Sequence, residues 1–401
     1  MKRSFLAALL ITMMSVVCLA SDVEFTALQL TPEQACTVLF MTDSESSFGG
    51  NNEDYMNPLT KVWFIPGENG DYGRVYFGFE DLQAQGGMND QGLFFDGLGI
   101  DTLCRVDTTG KDEYLGNLVD KILRECATVD CAIEQFEQYF TSEYWFWQFM
   151  FGDATGVSAI IEADAILRQE GQYQVATNFL QSRTTHERAM LTDWRYREAM
   201  NRFQASESAT AEVVRDILDA VHASGVTSTL YSNVYDLTEK IVYLYFFHDF
   251  DQVVTIDLAA ELEQGFHVVD IASLFPPNPA ATAWSDPKLA QRTNLIEDIV
   301  DSSVGEEELR IYEGQYEMPE GWGDPSDVVE IIAGDGALFL RFPTYRQFEL
   351  HPVSRTEFAY VGFAQSEYAV MMNVRFGFGD HGAVGYLELV IGEDVTRSVK
   401  L

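Results

Sequence analysis

The sequence predicts an α+β chain in which helices pack on antiparallel sheets, followed by a small all-β barrel or sandwich. Two observations carry this. Between residues 36 and 274 strands come first, helices fill the middle and strands return, the order expected when helices layer over antiparallel sheets. Beyond the Pro-rich stretch FPPNPAATAWSDP, from Leu309 to Leu401, short β-rich runs alternate with Gly, Pro and Asp turns, the spacing of a small barrel or sandwich.

The chain opens with MKRSFLAALLITMMSVVCLA, where Lys2 and Arg3 precede an apolar run ending in Cys18-Leu19-Ala20. Residues 1–20 read as an export signal cut after Ala20. Cys18 belongs to the signal core, because Val17 is not the small residue a lipid-anchor site needs. Residues 21–35, polar at both ends and with Pro32 near the junction, read as an exposed pro-segment. The expected location is periplasmic or secreted. No apolar run reaches the roughly 20 residues of a membrane span.

From Cys36 the order is strand, turn, strand: CTVLFMTD, the polar SESSFGGNNEDY, then KVWFIPG. GRVYFGFEDL and GLFFDGLGI flank GGMND as hairpin strands. Helical spacing of apolar residues marks EYLGNLVDKILREC and DCAIEQFEQYF, and FWQFMFGDATGVSAIIEAD is a strand pair around the turn Asp153-Ala154-Thr155-Gly156. Helices are expected over residues 192–203 and 210–222, then the strands YSNVYDL and KIVYLYFFHDF. The latter is apolar enough to be central and covered on both faces. Residues 275–308 read as a linker with one helix over 286–299, and residues 309–401 carry seven strand-like runs.

Charge excludes whole classes of partner. With 25 basic and 63 acidic residues the formal net charge is −38, and this field repels nucleic acid and anionic membrane. Acidic residues spread along the whole chain, a solvated surface rather than a binding site. Cysteines 36, 104, 126 and 131 survive signal removal; Cys126 and Cys131 bracket a helix–helix turn and are close enough to pair, while Cys104 fits a buried thiol. The six histidines lie far apart with no metal-ligand spacing, so no metal or other cofactor is implied. The run Tyr144-Trp145-Phe146-Trp147 reads as core or pocket lining.

The chemistry gathers around Cys36. Ala35-Cys36-Thr37 opens the first strong strand and Gly50-Asn51-Asn52-Glu53-Asp54-Tyr55 follows. Further on come Gly87-Met88-Asn89-Asp90-Gln91-Gly92-Leu93, the Asp153 turn leading to Glu162, Thr177-Asn178 and Trp194-Arg195-Tyr196. In this order and spacing, from Cys36 to about Leu274, the chain resembles the choloylglycine hydrolase and penicillin V acylase family of linear amide hydrolases. The resemblance implies the four-layered αββα fold of N-terminal-nucleophile hydrolases. It also implies Cys36 as nucleophile, Asp54 as catalytic aspartate, Asn178 beside the reacting carbonyl and Arg195 ordering the nucleophile's surroundings. Two positions depart from the family pattern. Asn51 stands where bile-salt hydrolases carry Arg, which removes a positive charge near the thiolate, and Gly99 stands where they carry a further Asn, which removes an oxyanion donor. The strands after residue 309 resemble the lipocalin-like accessory domain found behind secreted serine hydrolases, through Tyr312-Glu313-Gly314-Gln315-Tyr316 and the segment Leu350 to Ser354.

The chemistry is self-consistent. A free thiol titrates at about 8.5 and an α-amine at about 7.7–8.0, so an N-terminal cysteine carries its own base. Asp54 is expected to accept from the new terminus, and Arg195 to pair with Asp54 or lower the thiol pKa. The expected substrate is a small-molecule N-acyl amide cleaved through a thioester. An acyltransferase using the same intermediate and an inactive secreted binding protein of the same fold are the alternatives, and homo-oligomerisation is left open.

Overall fold

The computed structural model describes residues 36–100, 108–141, 147–334, 336–364, 367–379 and 382–401. The export signal, the pro-segment, Cys104, His381 and the aromatic run Tyr144 to Phe146 lie outside the described residues.

Cys36 leads into β1 (Thr37–Thr42), followed by β2 (Ser47–Tyr55), β3 (Thr60–Ile65), β4 (Arg74–Phe79), β5 (Ala84–Asn89), β6 (Phe94–Gly99) and the short β7 (Asp112–Glu113). Helices α1 (Leu118–Glu125) and α2 (Val129–Gln138) precede β8 (Tyr139–Phe140), β9 (Trp147–Gly152), β10 (Ser158–Glu162), β11 (Ala165–Arg168) and β12 (Tyr173–Ala176). Then come α3 (His186–Thr192), α4 (Trp194–Ala205), α5 (Ala211–Val221), β13 (Ser228–Asp236), β14 (Ile241–Phe246), β15 (Asp249–Asp257), α6 (Leu258–Leu262) and β16 (His267–Asp270). Two antiparallel sheets result, in the orders β12-β1-β2-β13-β14-β15 and β11-β10-β9-β6-β5-β4-β3-β16.

The layering follows from strand alternation. On β1, Val38 and Phe40 face the other sheet, meeting Val62, Phe77, Phe94 and Tyr235 in a shared core. Leu39 and Met41 face the opposite way, onto Tyr196, Phe203, Val214 and Leu218 of α4 and α5. Behind the second sheet, Trp63, Tyr76, Phe95 and Phe151 pack on Leu118, Ile122 and Ile133 of α1 and α2. Helices, sheet, sheet, helices: this is the αββα sandwich. Both faces of both sheets are covered, which is why β1 is buried at every position.

Three expectations need correction. The polar SESSFGGNNEDY is mostly no turn: residues 47–55 form β2, buried between β1 and β13. Neighbouring elements satisfy part of its polar side chains. Asn52 accepts from Ser232 Oγ at 2.6 Å and donates to the Leu218 carbonyl at 2.9 Å, while Asn51 accepts from Asn233 Nδ2 at 2.9 Å. Gly50 lets helix α5 approach, for a Cβ there would meet Val214 Cγ1 at 2.5 Å. KIVYLYFFHDF yields β14, which is penultimate rather than central, although both its faces are covered. The Pro-rich stretch begins a helix, α7 (Pro279–Ile299), with Asn278 as N-cap and Pro279 in the first turn, where proline's missing N–H costs nothing. Helix α3 carried no expectation. The disulfide Cys126–Cys131 is formed, and β9 and β10 pair around the Asp153 turn as expected.

After α8 (Glu306–Leu309), eight strands follow in simple succession: β17 (Gly314–Glu317), β18 (Val328–Gly334), β19 (Ala337–Arg341), β20 (Gln347–Pro352), β21 (Glu357–Ala364), β22 (Glu367–Phe378), β23 (Val384–Ile391) and β24 (Asp394–Val399). A bridge between Tyr316 and Lys400 joins the first to the last, so the sheet closes as a barrel around Tyr316, Leu340, Phe358 and Leu387. The barrel leans on the sandwich near Tyr55, whose ring meets Phe363 at 5.8 Å, and Tyr368 Oη donates to Asn57 Oδ1 at 2.9 Å.

Candidate active site

Cys36 sits at the head of β1, one of the inner strands of its sheet, with its thiol turned into the core between the two sheets and only 7% exposed. β2 runs antiparallel beside it, pairing Thr37 with Asn52. The thiol donates toward the Asp54 backbone carbonyl at 3.8 Å and the Glu53 Oε1 at 4.0 Å. Asp54 is buried at the end of β2, where Oδ1 accepts from Thr229 Oγ1 of β13 and Oδ2 has no hydrogen-bond partner among the described residues.

Arg195 arrives from the other side. It is the second residue of α4, whose N-cap Asp193 accepts from the backbone N–H of Arg195 at 2.9 Å and of Tyr196 at 3.0 Å. Asp193 also accepts from Thr177 Oγ1 at 2.8 Å and pairs with Arg195 Nη2 at 3.4 Å. Held this way, Arg195 Nη1 donates to the Cys36 carbonyl at 2.6 Å and to Asn178 Oδ1 at 3.2 Å. Asn178 in turn donates Nδ2 to the Gly99 carbonyl at 2.9 Å. Cys36, Asn178 and Arg195 therefore form one hydrogen-bonded unit, with Asp54 reached through the thiol. Gly99, which supplies no side-chain donor, instead anchors Asn178 through its backbone.

The electrostatics differ from expectation. Arg195 was expected to pair with Asp54 or to lower the thiol pKa; it makes an ion pair with Asp193, and its charge also draws the Asp54 carboxyl downward. Burial pushes the Cys36 thiol well above its ordinary value, with the Glu53 and Asp54 charges adding to the rise. Burial also raises the Asp54 carboxyl to about 7, against the opposing pull of Arg195 and the Thr229 hydrogen bond. The reason is geometric: the guanidinium grips the main chain of Cys36, while the Glu53 carboxyl shares the thiol's face.

Three neighbours escaped the sequence reading. Glu53 stands inside the GNNEDY motif, and reading that segment as a strand would have put it on the same face as its cross-strand neighbour Cys36. Asp96 is a lone acid in the apolar FFDGLG, itself a signal; it is fully buried opposite Gly86, where a Cβ would collide with its Oδ2. Asp193 preceding Trp194-Arg195 is an ordinary N-cap signal. His186 Nδ1 lies 3.2 Å from Tyr196 Oη. Among the described residues no group of three or more His, Cys, Asp or Glu is arranged to hold a metal, and no helix is long and apolar enough to cross a membrane.

Fold and site together define an αββα sandwich with a buried thiol at the head of an inner strand, its own carbonyl held by a capped arginine. No family model and no curated protein matches the chain. Among solved structures it is similar to penicillin V acylase from Agrobacterium tumefaciens, at 16% identity and TM-score 0.45 over 59% of this chain and 91% of that one. It is also similar to two variants of the conjugated bile acid hydrolase from Clostridium perfringens, each at 17% identity over 61% of this chain and 99% of the other, with TM-scores of 0.48 and 0.47.

Proposed function

We propose that this chain is an exported amidohydrolase of the choloylglycine hydrolase and penicillin V acylase kind, in which Cys36 becomes the first residue and cleaves a small-molecule N-acyl amide. The observation that carries the proposal is the grip on Cys36 itself. Arg195 fixes the main chain of that residue at 2.6 Å, an unusual use of a buried guanidinium unless the position of this one thiol matters. The catalytic unit is residues 36–274, and the barrel from residue 309 shields or supports it.

While Ala35 is attached, Cys36 has no α-amine and its buried thiol is held protonated. Cleavage of the Ala35–Cys36 bond frees an amine that titrates at about 7.7–8.0 and accepts a proton within the same residue. Sulfur then attacks the amide carbonyl. Asn178 Nδ2 keeps one N–H after bonding Gly99, and that N–H stabilises the oxyanion; losing such a donor costs about 2.7–4 kcal/mol. Collapse expels the amine, and water releases the acid from the thioester. Asp54 holds the new terminus.

Intact mass tests this. Purified protein is expected to begin at Cys36 and the Cys36→Ala variant at Ser21. An active enzyme that still begins at Ser21 refutes the N-terminal nucleophile.

A further inference from the structure

Position 51 carries no cation, and the side chain next along the same face of β2 is a carboxyl. Glu53 Oε1 lies 4.0 Å from Cys36 Sγ, within hydrogen-bonding range for sulfur, and both residues are buried. Asn51 Oδ1 accepts from Asn233, an uncharged contact, and Arg195 holds the Cys36 carbonyl, Asn178 and Asp193. Behind Glu53 lies Asp96. Glu53 Oε2 and both Asp96 oxygens are buried with no hydrogen-bond partner among the described residues. Two bare carboxylates cannot be held unpaired in such a place, so the pair retains a proton. We propose that Glu53 is a second proton acceptor for the Cys36 thiol, working alongside the α-amine.

The inference rests on Cys36 being the nucleophile. As sulfur forms its bond to the acyl carbon, Sγ gives its proton to Glu53 Oε1 and the carbonyl π pair moves to oxygen. When the carbonyl re-forms, the C–N bond breaks and the departing nitrogen takes that proton. In the second half Glu53 removes a proton from water as it attacks the thioester, and the proton returns to the sulfur that leaves. Nothing is consumed but amide and water.

The surroundings favour this duty. The titratable groups facing Glu53 are Cys36 on β1, Asp54 and Tyr55 on β2, Asp96 on β6, and Tyr231 and Tyr235 on β13, with the charge of Arg195 on α4 felt at Asp54. Burial, then the Asp54 charge, pushes the Glu53 carboxyl up to about 8, close to the pH at which a base works best. Burial and then Glu53 push Asp96 well above the carboxylate range. All three tyrosines are raised too, so they stay neutral.

The test separates a base from a mere like charge. Wild type and Glu53→Gln are produced with Cys36 as first residue, checked by intact mass. Each is assayed for alkylation by iodoacetamide and for turnover of p-nitrophenyl acetate. If Glu53 acts only as a nearby charge, its removal eases thiol ionisation, and alkylation and turnover rise together. If it is the acceptor, turnover falls at least tenfold, within the about 10²–10⁴-fold range of general-base catalysis, while alkylation does not fall. Turnover that is unchanged or higher overturns the inference. A wild-type thiol that alkylates no faster than an ordinary one and turns nothing over sinks the amidohydrolase proposal instead. Should Glu53→Gln not fold, Glu53→Asp decides. It keeps a carboxyl but draws it back by one methylene from Sγ, so a base loses at least tenfold in turnover whereas a mere like charge does not; turnover equal to wild type overturns the inference.

Discussion

Replacing Arg195 by lysine keeps the charge and removes the fork. The guanidinium reaches three acceptors on three segments: the Cys36 carbonyl at 2.6 Å, Asn178 Oδ1 at 3.2 Å and Asp193 Oδ2 at 3.4 Å. An ammonium on a flexible stem is a point donor and cannot span them together. A hydrogen bond to a charged group is worth about 1.5–3 kcal/mol, so losing one or two should lower stability by about 2–4 kcal/mol. The larger effect is on rate. With its carbonyl released, Cys36 drifts, and a misplacement of about 1 Å costs about 10²-fold. Because Arg195 touches the nucleophile's main chain, the loss should fall on kcat, with KM within about threefold. Urea unfolding gives the first quantity and steady-state turnover of p-nitrophenyl acetate the second. An Arg195→Lys enzyme with more than half the wild-type kcat would show that the grip on Cys36 is incidental.

Stability should also depend on pH with a particular sign. Glu53 is raised from 4.5 to about 8 and Asp54 from 3.8 to about 7, so the folded state holds protons that the unfolded chain has released. Their contribution is fully present below about pH 4 and is lost as pH rises through about 7 to 8. The melting temperature should therefore fall across pH 5–8.5, and Glu53→Gln should flatten that fall; parallel curves would show that Glu53 keeps an ordinary pKa. Gly50→Ala places a Cβ 2.5 Å from Val214 Cγ1 and 3.3 Å from the Asn233 carbonyl. Overpacking of this kind costs about 1–3 kcal/mol, measurable by urea unfolding, and an unchanged midpoint would mean that α5 yields freely.

Much of this was legible because the relevant signals are local. The apolar run in TVLFMT, the helical spacing of α1 and α2, and the turn at Asp153 each report on neighbouring residues. Cys36, Asp54, Asn178 and Arg195 were named from ordered motifs, and the first, third and fourth meet in one hydrogen-bonded unit. What stayed hidden was non-local. Ser47 to Tyr55 looks like a loop until β13 supplies Ser232 and Asn233 as partners, some 180 residues away in the chain. Glu53 and Asp96 could not be joined without knowing that two sheets face one another. The grip of Arg195 was hidden in the same way, since its partner Asp193 is only two residues off but the Cys36 carbonyl is 159 away.

The closure of the barrel bears on how it assembles. Each ladder from β17 to β24 joins consecutive strands, so seven of the eight contacts are short-range and can form quickly as hairpins. The eighth, between Tyr316 and Lys400, needs nearly the whole barrel chain in place before any bond can reward it. Until then β17 and β24 expose unpaired N–H and C=O groups, and a partly folded barrel is open to strand exchange with a neighbouring molecule. Once Leu401 N–H reaches the Gln315 carbonyl at 2.9 Å, that opportunity ends. The last ladder to form is thus the one that makes the barrel self-contained, and its slowness, more than its modest energy, sets how long the nascent protein remains prone to aggregate.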